Sequence, residues 1–127
     1  MKTVSEIEAL EKVTGQLQGL HREVSLLAKK SPIDALNQFK LRLTNNVISI
    51  ANGVLGNNYR PFDDFEQFDP DSVPSTSDVA MLLGQYIEEA ERFRSDHIKQ
   101  YGSGWYYVVD GEISDIRTGP PTKVTKK

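Results

Sequence analysis

The stretch WYYVVDGEISDIR, residues 105–117, decides the fold class of this chain. Aromatic and β-branched residues fill 105–109, and Asp110-Gly111 is a residue pair that favours a type I′ turn. The stretch therefore predicts a β-hairpin. Because an isolated hairpin is only marginally stable in water, it must pack on a helix or pair with strands of another copy.

The expected turn also sets the register of the hairpin. Val108 is expected to face Ile113, and Tyr106 is expected to face Asp115. Side chains alternate along a strand, so a second set lies on the opposite face: Trp105, Tyr107 and Val109.

Upstream of the hairpin, hydrophobic periodicity predicts three helices. The first spans residues 4–30 and carries an apolar seam at coiled-coil spacing. Its members are Leu10, Val13, Leu17, Leu20, Val24 and Leu27. This α1 seam is compatible with packing inside the chain's own domain and with a self-associating coiled coil.

The second helix is predicted over residues 33–55, with Ser31 as its cap and Pro32 in its first turn. The GNN sequence at 56–58 is expected to end it, because Gly and Asn tolerate the left-handed conformation. Its apolar stripe is predicted to be Leu36, Leu43, Val47, Ile50 and Val54.

The third helix is predicted over residues 77–100, with Ser75 or Ser77 as its cap. Its buried face is expected to comprise Val79, Leu82, Leu83, Tyr86, Ala90, Phe93 and Ile98. After the hairpin, two prolines prevent residues 118–127 from continuing a regular strand. This segment is predicted to be a tail, or an arm laid over a partner.

Between the second and third helices lies an aromatic and acidic connector, residues 57–76. Its phenylalanines, Phe62, Phe65 and Phe68, are spaced by three, which favours a short helical turn whose rings pack against both helices. Its acids keep this otherwise apolar segment soluble.

Together these elements predict a single domain over residues 1–127, mainly α with a small C-terminal β-hairpin (α+β). The domain is expected to oligomerise through the N-terminal helix and the hairpin, because both present apolar faces that need a partner.

Composition excludes several classes of function. The net charge of −3 argues against binding a nucleic-acid polymer, which requires a concentrated basic surface. The chain has no cysteine, which excludes disulfides and the common structural zinc sites. No apolar run reaches membrane-spanning length and no signal peptide is recognisable, so a cytoplasmic protein without a membrane partner is expected.

Catalytic motifs are not evident. His21 and His97 lie outside any recognisable nucleophile–base arrangement, and no phosphate-binding glycine loop or EF-hand spacing is present. The carboxylates of the connector are better explained as a solvated acidic segment than as paired catalytic acids. We therefore expect a protein that is not an enzyme and that uses no cofactor or metal. An enzyme that acts on a nucleotide through the connector carboxylates is a further hypothesis.

A nucleotide-like ligand is the binding chemistry that the residues favour. Arginine pairs bidentately with phosphate, aromatic rings stack on bases, and a carboxylate accepts hydrogen bonds from ribose hydroxyls or a base amino group. If the hairpin folds back over the third helix, residues from the connector, that helix and the hairpin can line one pocket. The candidate ligand-binding residues are Arg60, Phe62, Tyr86, Asp96, Trp105, Asp115 and Arg117.

Three stretches resemble the first family of phage anti-Thoeris proteins: YRPFDDFEQFDPDSVPSTSDV, QYIEEAERFRSDHI and WYYVVDGEISDIRTGPP. The resemblance covers roughly residues 57–121. Members of that family are small, oligomeric and non-enzymatic, and they sequester a cyclic ADP-ribose isomer made by bacterial TIR-domain enzymes. Some are hexameric and also hold cyclic nucleotides at separate sites.

The resemblance implies a pocket between protomers of a homo-oligomer, either a dimer or a hexamer. In that pocket Tyr86 would stack on the adenine, Arg117 would bind phosphate, and Arg60 would lie at the rim. Asp96 stands where the family favours an amide, which changes the hydrogen bond expected there. The alternative function is a phage or plasmid interaction protein that inhibits a host protein by direct docking, without a small ligand.

Overall fold

A computed structural model describes residues 1–123 as three helices followed by a three-stranded antiparallel sheet. The helices are α1 (Val4–Lys30), α2 (Gln38–Tyr59) and α3 (Thr76–Asp96). The strands, in sheet order, are β1 (Ile98–Tyr101), β2 (Gly104–Val109) and β3 (Glu112–Thr118). The predicted class, mainly α with a small C-terminal β element, is confirmed. Among residues 1–123, no helix is long and apolar enough to cross a membrane.

The α1 seam forms one side of the core. Leu10, Val13, Leu17 and Val24 are at most 1% exposed, and α1 packs against both α3 and α2. Fully burying such a side chain is worth roughly 1.5–3 kcal/mol. The seam is therefore used within the chain, which corrects the prediction that copies associate through it.

Helix α2 begins later than predicted, at Gln38 and not at residue 33. The side chain of Asn37 caps it by accepting from the Lys40 N–H at 2.8 Å. Residues 31–36 instead hydrogen-bond to the start of α3: the Leu36 N–H donates to the Pro74 carbonyl, and the Thr76 N–H donates to the Asp34 carbonyl. These tertiary hydrogen bonds override the helix-start signal of Ser31 and Pro32.

The end of α2 follows the glycine signal only in part. Gly56 has φ +67° and interrupts the helix, but helical geometry resumes and continues to Tyr59. The predicted apolar stripe is wrong at two positions, because Leu43 and Ile50 are 40% and 51% exposed. The face that packs inward comprises Leu41, Thr44, Asn45, Val47, Ile48, Ala51, Asn52 and Leu55.

Two buried asparagines on α2 hold the connector. Asn45 pairs with both backbone groups of Phe68: its Nδ2 donates to the carbonyl at 3.0 Å, and its Oδ1 accepts from the N–H at 2.9 Å. Asn52 donates to the Phe65 carbonyl at 3.3 Å. The predicted helical turn forms only in part: the Phe65 N–H donates to the Phe62 carbonyl at 3.5 Å, but the turn does not continue to Phe68, because the Phe65 carbonyl and the Phe68 N–H bond to side chains of α2.

The phenylalanines of the connector behave differently from one another. The rings of Phe65 and Phe68 meet edge to face, 5.2 Å apart, and pack against the core. Their expected anchoring role is confirmed. Phe62 remains exposed and takes no part in the core.

The C-terminal sheet has one strand more than the sequence suggested. Helix α3 ends at Asp96, and residues 98–101 form β1 instead of a last helical turn. Ile98 is still buried as expected, but it reaches the core from a strand, where it pairs with Tyr107. The hairpin thus gains a third strand and packs on the helices of its own chain.

The Asp110-Gly111 turn is confirmed, with φ values of +51° and +82°. Val108 pairs with Ile113 as predicted. Tyr106 pairs with Arg117 and not with Asp115, because a β-bulge between Tyr106 and Val108 shifts the register.

Residues 119–123 are held against α3 of the same chain by hydrogen bonds and an ion pair, which together form a C-terminal clasp. Arg94 uses all five of its N–H donors: two hydrogen bonds go to Glu91, one to Thr118, and one each to the carbonyls of Gly119 and Pro120. Thr122 donates to Glu91 from its N–H and its hydroxyl. An ion pair between Lys123 and Glu88 extends the clasp. The remaining residues of the predicted tail, 124–127, lie outside the described residues.

Glu91 is held ionised by this clasp. Burial alone would raise the pKa of Glu91, but hydrogen bonds from Arg94 and Thr122 outweigh it and lower the pKa to about 2.

Replacing Asn45 with alanine tests the anchoring of the connector. Asn45→Ala leaves two part-buried backbone groups of Phe68 without partners, so we expect the free energy of unfolding to fall by about 1–2 kcal/mol. Urea denaturation measures the change. Ser49→Ala, at an exposed position of the same helix, should change it by less than about 0.5 kcal/mol; equal effects would contradict the anchoring role.

The clasp also predicts a pH dependence. The folded-state pKa of Glu91 lies below its ordinary value of 4.5, so its stabilising contribution is complete above that value and is lost as the pH falls towards about 2. Thermal unfolding between these pH values should show a shallower loss of stability for Glu91→Gln than for the wild type. Glu8→Gln, at an exposed position of α1, should lose stability with falling pH as steeply as the wild type. If all three proteins lose stability equally steeply, the clasp does not contribute to the pH dependence of stability.

Candidate functional site

The seven predicted ligand-binding residues do not meet in one pocket of the described chain. Arg60 and Tyr86 lie near the connector, and Asp96 lies at the end of α3. Asp115 and Arg117 lie on the exposed face of β3. Each group has its own contacts, which decide whether it is available to a ligand.

Arg60 is occupied by the connector. Its Nη2 donates to the Phe65 carbonyl at 2.7 Å and to Glu66 Oε1 at 3.0 Å, and its side chain is 13% exposed. Its Nε is buried and has no hydrogen-bond partner within residues 1–123. The guanidinium therefore fixes the path of the connector, and it is not presented at an open rim.

Tyr86 is fully buried, so its ring offers no face on which an adenine could stack. Its hydroxyl donates to Asn52 Oδ1 at 2.6 Å. Burial raises the pKa of Tyr86, which keeps the phenol neutral and able to donate. Tyr86 thereby orients Asn52, whose amide group donates to the connector.

Asp96 is also buried, and it accepts a hydrogen bond from the Tyr59 hydroxyl at 2.5 Å. Burial and this hydrogen bond raise the pKa of Tyr59. The Tyr59 ring packs on Phe93 with centroids 4.6 Å apart, and Phe93 packs on His97 at 4.8 Å. The arrangement ties the end of α2 to the end of α3.

The two remaining aromatic candidates differ in exposure. Phe62 is exposed on the connector, whereas Trp105 is half-buried and packs against the core from the inner face of the sheet. Neither ring lies next to Asp115 or Arg117. Phe62 is outside the sheet, and Trp105 points to the opposite face of the sheet.

The accessible side chains of the sheet lie on the face that points away from the helices, which is the outer sheet face. It is defined by Tyr101, Tyr106, Ile113, Asp115 and Arg117. All but Arg117 line, together with Ser114, a shallow concavity of about 430 Å³. Tyr106 pairs across the strands with Arg117 on one side and with Lys99 on the other. Tyr101 is 70% exposed.

Gly104 allows the Tyr106 and Arg117 side chains to lie close together. A Cβ at this position would lie 3.1 Å from the Tyr106 ring and 3.3 Å from Arg117 Cζ. Both side chains therefore rest over the glycine, with the phenol ring beside the guanidinium. Within residues 1–123, neither Arg117 nor Asp115 has a side-chain hydrogen bond or ion pair.

This combination suits a planar, anionic ligand. A tyrosine face can stack on a base, and an unpaired guanidinium next to it can bind phosphate through two hydrogen bonds. Asp115 can accept hydrogen bonds from ribose hydroxyls. The concavity is open, so a ligand held there by one chain alone keeps one side in water.

A larger groove lies between α1 and α3, around His21. It has a volume of about 540 Å³, and Gly84 brings the two helices close to that histidine. Its acidic residue Glu88 already pairs with Lys123, and Glu89 beside it pairs with Arg92. The cations that line this groove, Arg22 and Lys29, are also unpaired within residues 1–123, but no Tyr, Trp or Phe lines it. The outer sheet face is the stronger candidate, because it sets an aromatic ring beside an unpaired guanidinium.

Sequence reasoning missed Tyr101 and Lys99, and it assigned Tyr106 only a place in the hairpin. These residues were hidden because 98–100 were assigned to the third helix. The signal that identifies β1 is the Gly102-Ser103 pair, which is a two-residue hairpin turn directly before the second strand.

Comparisons with known proteins give no assignment: no protein-family model, no curated protein and no solved structure matches the chain. Within residues 1–123, no group of three or more His, Asp or Glu side chains is arranged to hold a metal ion.

Alanine substitutions distinguish the two arginines. Arg60→Ala removes two hydrogen bonds that hold the connector, so the free energy of unfolding should fall by about 1–3 kcal/mol. Arg117→Ala removes an exposed side chain and should change it by less than about 0.5 kcal/mol. Chemical denaturation of both variants measures this difference; a larger loss for Arg117→Ala would reverse the two roles.

Proposed function

We propose that this chain is a non-enzymatic protein that binds and sequesters a nucleotide-derived immune signal, with a cyclic ADP-ribose isomer as the first candidate. Cyclic oligonucleotides are the second class of ligand. In this proposal the protein acts in the cytoplasm of an infected bacterium, as a homo-oligomer, and counteracts TIR-based defence.

The observation that carries the proposal is the pair of Tyr106 and Arg117 over Gly104. An unpaired guanidinium and an accessible aromatic ring on neighbouring strands supply the two contacts that a nucleotide needs. Asp115 adds an acceptor for hydroxyl groups on the same face. This surface includes two of the seven predicted ligand-binding residues, Asp115 and Arg117. Both lie in the stretch WYYVVDGEISDIRTGPP, which carries part of the family resemblance.

The proposed roles differ from those implied by the family resemblance. Tyr106 replaces Tyr86 as the stacking ring, because Tyr86 is fully buried in the chain. Arg117 keeps its role on phosphate. Arg60 and Asp96 become positioning residues, which support the connector and the end of α3 instead of contacting the ligand.

Isothermal titration with cyclic ADP-ribose isomers tests the proposed site. A hydrogen-bonded pair with a charged group contributes about 1.5–3 kcal/mol, so Arg117→Ala should weaken binding by roughly 10- to 100-fold. Tyr106→Ala should weaken it similarly, because base stacking is lost. Both variants should retain the wild-type unfolding transition.

The matched control is Arg22→Ala, which removes an exposed arginine from α1 and should leave the affinity unchanged. Mass spectrometry of the ligand after denaturation of the complex provides a second readout. A sequestering protein releases the ligand intact, whereas a converted ligand would indicate an enzyme.

The competing hypothesis is an interaction protein that docks directly on a host protein. If the wild type binds no isomer and no cyclic oligonucleotide, the sequestration proposal is wrong. Capture of a defined host protein on the immobilised chain would then support the docking hypothesis.

A further inference from the structure

Helix α2 presents to solvent a face with a single charged residue, Arg42, whose guanidinium carbon lies 5.4 Å from the Phe39 ring centroid. No Asp, Glu, Lys or Arg occurs between Arg42 and Arg60, although 26% of the chain is charged. Phe39, Leu43 and Ile50 on this face are 58%, 40% and 51% exposed. An ordinary solvent face of a helix carries charged residues, so this one departs from the pattern.

The exposed side chains form a regular row along the helix. The α2 row consists of Phe39, Leu43, Asn46, Ile50 and Gly53, whose spacings are 4, 3, 4 and 3, and it ends before Gly56 interrupts the helix. This is the spacing by which one helix packs along another. The row lies opposite the buried face of α2, so the fold itself does not cover it.

A scarcity of charged residues together with exposed apolar side chains is typical of the centre of a protein interface. The nature of the partner follows from the distribution of side-chain size. The bulky members, Phe39 and Leu43, occupy the first half of the row. Gly53, the smallest member, ends the row.

We propose that the α2 row is the interface with a second copy of this chain, packed antiparallel. A two-fold axis between Asn46 and Ile50 sets Leu43 of each copy over Gly53 of the other. No atom lies within 4 Å of the position that a Gly53 Cβ would occupy, so the glycine leaves room for the bulky side chain. The same patch serves both copies, as two-fold symmetry requires.

Charge selects the same orientation. Arg42 is the one charged residue on the exposed part of this helix, and a parallel pair would place it next to its own symmetry mate. Antiparallel packing places it near the C-terminal end of the other α2, where the helix dipole favours a cation. The exposed carboxylates of Asp63 and Asp64 follow that end.

The oligomeric state of purified protein tests this interface, independently of whether any nucleotide binds. Native mass spectrometry and light scattering should show a dimer for the wild type. Gly53→Glu and Ile50→Asp each place a charge in the interface and should raise the dimer dissociation constant about 100-fold or more. Circular dichroism melting should show that both variants still fold, because both positions are open to solvent in the single chain.

Gly15→Glu is the matched control. Gly15 is another exposed helical glycine with open space around it, and it lies on α1. This variant should remain dimeric. Equal dissociation of Gly15→Glu and Gly53→Glu would overturn the assignment of the interface to α2.

Introduced cysteines test the orientation, because the chain contains no cysteine of its own. In the antiparallel dimer, a mixture of Leu43→Cys and Gly53→Cys chains should form a mixed disulfide on mild oxidation. Each variant alone should not, since the two equivalent positions lie roughly 15 Å apart along the helices. A monomeric wild type, or efficient self-crosslinking of each variant alone, would overturn the proposal.

Discussion

The pairing of Asn45 and Asn52 with the connector backbone is the constraint on which the rest of the structure depends. The connector links α2 to α3, and its rings close one side of the core. Without Asn45, the N–H and carbonyl of Phe68 would be part-buried beside an apolar helix with no partners. Tyr86 and Arg60 belong to the same network, since one orients Asn52 and the other bonds the carbonyl that Asn52 also contacts.

This network explains which parts of the fold could be predicted from the sequence. Helical periodicity located all three helices, and the Asp-Gly pair located the hairpin turn, because both signals arise from neighbours in the chain. The start of α2 was missed because hydrogen bonds to the segment before α3 compete with a local cap. The inward face of α2 was missed because Asn45 and Asn52 are polar, and hydrophobicity alone orients them towards water.

The candidate site shows the same difference between what residue type predicts and what the assembled fold decides. Arg117 and Asp115 were identified from their chemistry, and the sheet places both on an open surface. Tyr86 and Asp96 have equally suitable chemistry, but they are buried and bonded to Asn52 and Tyr59. Burial is a property of the assembled fold, and residue type alone could not separate these two pairs. The β-bulge between Tyr106 and Val108 is likewise invisible in the sequence, although it brings Tyr106 beside Arg117.

At residues 119 and 120, the clasp of the C-terminal segment recognises the main chain and not the side chains. Arg94 bonds the carbonyls of Gly119 and Pro120, which every amino acid supplies, and the prolines have no N–H that would need an acceptor. The path of this segment is therefore insensitive to its own sequence at these two positions. We expect related chains to tolerate substitution there freely, while a chain that ends before residue 119 would leave two of the five Arg94 hydrogen bonds unmade.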